Sequence, residues 1–152
     1  MSDGPEQHKA VSAWQRGATG SGRIIAVVDT GIDLDSPEFT GRIHPDSRDV
    51  AGNRSVDGED DHGTNVALVA AAARNDTGIL GIAYDARVLA LRADRPGTCG
   101  DDTPENTNLT CSFSDGDIAR GIDQAVTSGA TVINLSLGGG GVGSATLCLL
   151  YT

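Results

Sequence analysis

Hydrophobic positions along the chain collect into three short apolar runs, separated by amphipathic or polar stretches. Ile24 to Val28, residues 86–93 (ARVLALRA) and residues 131–137 (TVINLSL) lack strict alternation. That pattern predicts strands buried on both faces, as in a parallel sheet. Residues 63–73 (GTNVALVAAAA) are small and apolar and predict a buried helix beginning near His62. Ser114 with Asp117 three residues on resembles a capping box, with Asp where Glu or Gln is more usual. Behind it, Ile118, Ile122, Ala125 and Val126 make one apolar helical face that Gly129 closes. Residues 6–16 predict a short amphipathic helix with Val11 and Trp14 on one side and Gly17 at its end. Residues 33–61 show no sustained period and predict loop with short elements. Strands alternating with helices predict an α/β fold, a partial doubly wound parallel sheet with helices on both faces. Sites in such sheets gather at the carboxyl ends of the strands, where Asp29 and Ser136 both fall.

Composition narrows the class. The 152 residues carry a formal charge of -10, so a phosphate backbone is repelled and nucleic acid is not the expected partner. No apolar run approaches the roughly 18 residues of a membrane span, and the N-terminal MSDGPEQHKA holds no apolar signal region. Cys99 and Cys111 bracket a polar segment with no apolar period to hold it by burial. A disulfide closing that loop, in an oxidising compartment, is the preferred reading. Two unpaired thiols, or a metal held without a nearby histidine, are the alternatives. Cys148 is left over in an apolar tail.

Three motif readings compete. Residues 138–143 (GGGGVG) satisfy the glycine spacing of a dinucleotide site directly after a strand, but only nine residues follow. Neither the required helix nor the acidic residue about 20 positions on is present. The tripeptide Asp29-Thr30-Gly31 fits a retropepsin-type aspartic protease, whose two carboxylates share a proton in a β-rich dimer. The helical segments oppose that scaffold, and it leaves His62 without a role. The third reading joins Asp29 to His62: AVVDTGID, then DDHGTNVALVAA, then VINLSLGGG. In order and spacing these resemble the subtilisin-like serine proteases, over roughly residues 10–140, or about the first half of a typical catalytic domain. The resemblance implies an Asp-His-Ser triad in which Asp29 orients the ring and His62 is the general base. It also implies that Ser136, Leu137 and Gly138 form a substrate-pairing strand, with Ser112 and Phe113 opposite, and that the substrate is a polypeptide. Taken singly, His62 reads as a surface imidazole at the start of a helix and Asp29 as a turn-forming residue.

Departures from the family pattern matter as much. In HGTNVAL the motif's second His is Asn65 and its final Gly is Leu68. Neither position belongs to the triad, and with the cysteine-bounded insertion they point to the bacterial autotransporter subgroup, hence to a secreted or cell-surface protein. The family's Gly-Thr-Ser-Met-Ala-like nucleophile motif and its oxyanion Asn are absent from the 152 residues. The expectation is therefore an incomplete peptidase domain over 1–152 with an atypical tail at 141–152, from a fragment, truncated gene or frameshift, inactive by itself. A non-catalytic peptide-binding module is the alternative. No cofactor is expected, with calcium, common in the family, as the alternative: residues 57–61 (DGEDD) are an acidic cluster but lack EF-hand spacing and read as a solvated loop. Sequons at Asn53, Asn75, Asn108 and Asn134 are not read as glycosylation sites, since Asn134 falls in a buried strand.

Overall fold

The computed structural model describes residues 4–58, 60–99 and 111–138. Four parallel strands form one sheet in the order β2-β3-β1-β4, with β1 at Ile24–Asp29, β2 at Arg48–Asp49, β3 at Arg87–Arg92 and β4 at Val132–Asn134. Strand β1 pairs with β3 from Ile24↔Arg87 to Asp29↔Arg92, and with β4 from Ile25↔Val132 to Val27↔Asn134. Helices α1 (Gly4–Gln7) and α2 (Ala10–Trp14) precede the sheet, α3 (His62–Ala71) lies between β2 and β3, and α4 (Asp115–Thr127) follows β3.

The two-residue period of the strands divides the core into two clusters. Ile25, Val27, Val88 and Ala90 meet Ala67 and Ala71 of α3, with Ile32 and Phe39. Ala26, Val28, Leu89 and Leu91 meet Ala125 of α4. Successive strand residues face opposite ways, so α3 and α4 cover opposite faces of the sheet, as a doubly wound fold requires. Each fully buried Val or Leu here contributes roughly 1.5–3 kcal/mol relative to an exposed one.

Several expectations are corrected. The single helix over 6–16 is two pieces, because Lys9 adopts a left-handed φ of 58° and breaks the hydrogen-bonded run. Trp14 then anchors α2 by donating to the Ile82 carbonyl at 2.8 Å and packing edge-on to Tyr84. Strand β4 is shorter than the apolar run and is not buried: Val132 is 54% exposed. It lies at the sheet edge, so apolar residues that a central strand would cover stay open. For the same reason Asn134, half-buried, gives no argument against a modification there. Val126 leaves the predicted face of α4 and is 66% exposed, because the line that packs down runs through Gly121 and Ala125. Ser114 caps α4 as predicted, its hydroxyl oxygen accepting the Asp117 N–H at 3.1 Å.

Cys99 and Cys111 are joined in a disulfide, which decides among the readings left open for that loop. Just outside the loop it closes, Asp94 and Phe113 form an antiparallel bridge, and Arg95 donates its N–H to the Ser112 carbonyl at 2.8 Å. Residues 139–152, including most of the glycine run, Ser144 and Cys148, lie outside the described residues, as does Asn108.

A buried ionic chain at the carboxyl ends of β2 and β3 had no sequence signal. Arg54 bridges Asp49 (2.8 Å) and Asp94 (2.7 Å), and Asp94 in turn holds Arg92 at 2.8 Å. Burial raises the Asp49 carboxyl, but hydrogen bonds from Arg54 outweigh that and hold it below the ordinary value. Hydrogen bonding to Asp49 likewise raises the Arg54 guanidinium.

Candidate active site

Residues 25, 27 and 29 share the face of β1 that α3 covers, so the side chain ending this series, Asp29, points toward the helix and not toward solvent. Asp29 is fully buried. Its Oδ1 accepts the Thr30 N–H at 2.8 Å and lies 2.7 Å from His62 Nδ1. Oδ2 has no hydrogen-bond partner among the described residues.

His62 is placed by the way α3 begins. Asp61, at the N-cap, makes no side-chain cap. The first helical N–H groups instead find acceptors in the neighbouring turn: His62 N–H donates to Asp60 Oδ1 (2.7 Å) and Gly63 N–H to Thr30 Oγ1 (3.0 Å). Thr64 Oγ1 returns the tie by accepting the Asp33 N–H at 2.9 Å. The start of the helix is thus fastened to the turn that leaves β1. Gly63 is required for that approach, since a Cβ there would collide with the Gly31 carbonyl and sit 3.2 Å from Asp29 Cβ. Gly31 meets the turn with a φ of 111° that side chains rarely adopt.

A carboxylate can only accept, so the ring proton on Nδ1 points to Asp29 and the lone pair is left on Nε2. Nε2 has no partner among the described residues, and the side chain is 52% exposed. The Asp29 hydrogen bond raises the His62 pKa above its ordinary value; burial opposes the rise, and the charges of Asp29 and Asp60 add to it.

His62 opens on a cavity of about 280 Å³. Thr30 and Asp60 line one part of it, Cys111 and Phe113 another, and Ser136, Leu137 and Gly138 a third. Five of the seven residues singled out by resemblance therefore gather there: His62, Phe113, Ser136, Leu137 and Gly138. Asp29 stands beneath, behind His62. Ser112 does not line the cavity; its carbonyl accepts the Arg95 N–H and its N–H donates to Thr98 Oγ1 at 3.2 Å. Sequence reasoning missed Thr30 and Asp60. Thr30 stands inside the tripeptide already noted, while Asp60 was hidden in an acidic run read as solvated loop; its carboxylate holds the His62 backbone. Among the described residues no three or more His, Cys, Asp or Glu are grouped to hold a metal. A larger open hollow of about 440 Å³ lies by Asp49 and Arg54, whose charges already satisfy each other.

The chain is similar to several known proteins. The thermophilic serine proteinase of Bacillus sp. (strain AK1) is 40% identical over 143 residues, covering 89% of this chain and 31% of that protein. Fervidolysin from Fervidobacterium pennivorans, a keratinolytic enzyme related to subtilisin, superposes with a TM-score of 0.67 at 31% identity, over 90% of this chain and 20% of fervidolysin. MycP3 protease from the type VII (ESX-3) secretion system does so with a TM-score of 0.65 at 29% identity, over 90% of this chain and 37% of MycP3. The chain thus spans well under half the length of each. With the model of the subtilase family matching residues 20–148, the chain belongs to that family.

Proposed function

We propose that these residues supply two thirds of a serine-protease triad, with Asp29 orienting and His62 acting as general base in peptide-bond hydrolysis. One observation carries this reading: a fully buried carboxylate 2.7 Å from the Nδ1 of a histidine whose other nitrogen faces an open cavity. That arrangement fixes the tautomer that can take a proton from a serine hydroxyl, and its carboxylate offsets the positive charge the ring then acquires. Residues 136–138 would pair with an extended polypeptide substrate on one side of the cavity, with Phe113 on the other. The cystine and the secretion-system relative support a secreted or cell-surface setting.

None of the serines in the 152 residues stands in a Gly-Thr-Ser-Met-Ala-like motif. Hydrolysis by this pair therefore draws its nucleophile and oxyanion donor from sequence outside them, and residues 10–140 act as the first part of a catalytic domain. The same observation favours a second reading, in which the cavity binds peptides without cutting them.

A fluorophosphonate probe separates these cases. The 152-residue chain should take up no stoichiometric label; labelling at one of its own serines would show that the nucleophile lies within it. Continued by the serine-bearing part of the Bacillus sp. (strain AK1) proteinase, the chain should cleave casein and lose that activity on His62→Ala. If the joined protein folds, binds peptide and does not cleave, the binding reading stands.

A further inference from the structure

The ionic chain at the sheet's carboxyl end reaches the Asp29–His62 pair through backbone carbonyls. Arg92 is the register partner of Asp29 on the adjacent strand. Its guanidinium is fixed on one side by Asp94, with Nε to Oδ1 at 2.8 Å, and Asp94 is shared with Arg54. On the other side Nη1 donates to the carbonyls of Asp57 (2.8 Å) and Ser55 (3.3 Å). These flank Val56, whose own carbonyl accepts the Ile32 N–H at 3.0 Å. Gly58 packs against the Thr30 carbonyl so closely that a Cβ would lie 2.6 Å from it. The loop held by Arg92 is therefore the floor under the turn that follows Asp29, and it runs on to Asp60, which holds the His62 N–H.

We propose that Arg92 is a positioning residue for the Asp29–His62 pair, clamping residues 55–57 so that the turn after β1 and the start of α3 meet in one register. This rests on the pairing of Asp29 with His62 put forward above. A guanidinium suits the task because its planar fork addresses a carboxylate and two carbonyls at once; an ammonium, a single point on a flexible stem, holds fewer of them in fixed directions. Asp94 and Arg54 complete the device by fixing the guanidinium from behind.

The test reads His62 by NMR in the full 152-residue chain, following the Cε1–H shift against pH together with amide exchange of β1 and β3. Among the described residues, Asp29 and Asp60 are the charged groups that act on this ring. In the unmodified chain the midpoint should lie above the ordinary value of about 6.5. Arg92→Met should bring it down toward that value while the Val27 and Leu89 amides stay protected, and Arg92→Lys should fall between. An unchanged midpoint in a folded Arg92→Met chain overturns the clamp, as does a midpoint that falls only together with β1–β3 protection. Should Arg92→Met fail to fold, Arg92→Lys decides by the same two outcomes. An ordinary midpoint in the unmodified chain overturns the Asp29–His62 pairing itself, a failure distinct from that of the clamp.

Discussion

An imidazole hydrogen-bonded to a buried carboxylate holds its second proton more tightly, and His62 does so with its side chain still about half exposed. The folded pKa is raised above the unfolded one, so the protonated pair stabilises the fold. That contribution is fully present below pH of about 6.5 and is lost as pH rises through the folded value. Solvent screening keeps it under about 1 kcal/mol. Urea midpoints of the chain and of His62→Gln should therefore differ most near the acid end of the range and converge at alkaline pH. The opposite trend would mean that burial, not Asp29, dominates the ring. Catalysis asks for the other protonation state, so in a complete enzyme activity should rise with pH through the same value at which this stabilisation is lost.

At the scale of elements, the meeting of α3 with the end of β1 decides whether a site exists. Gly63 is its tightest point. Gly63→Ala must push the helix start away from the Gly31 carbonyl, an overpacking change that costs about 1–3 kcal/mol. It should also lower the His62 midpoint, because the 2.7 Å contact with Asp29 opens. A variant with normal stability and an unmoved His62 resonance would mean that the helix can shift without disturbing the pair. The partners in this junction were legible to unequal degrees. Asp29, His62, Ser136 and the helices announced themselves by apolar period and by motif order, since strand ends and helix starts recur at fixed chemistry. Asp49, Arg54, Arg92 and Asp94 did not: Arg54 pairs locally with Asp49 and Arg92 with Asp94, but the two pairs join only through the long-range Arg54–Asp94 contact, which no local pattern marks. Lys9 likewise gave no sign that it would break a helix, because nothing in its residue type favours the left-handed φ of 58° it adopts.

The whole molecule balances a neutral ionic chain inside against a formal charge of -10 overall. Among the described residues, β4 has β1 as its only strand neighbour, so its outer edge is unpaired. Val132 of β4 and Leu135 just after it are exposed. Unpaired backbone flanked by apolar side chains is a template for pairing with another copy, while like charge keeps copies apart. Salt weakens the repulsion and leaves the edge intact, so the 152-residue chain should self-associate more at about 0.5 M salt than at low salt. Val132→Lys separates the two forces. It lowers the net charge from -10 to -9, which by repulsion alone would increase association; placed at the edge, the buried-on-contact ammonium should decrease it. Sedimentation velocity across the salt series reads the outcome directly. Less association in Val132→Lys assigns the behaviour to β4, whereas equal or greater association assigns it to charge, and a monomer at every salt concentration would show that the edge is not available to a second copy.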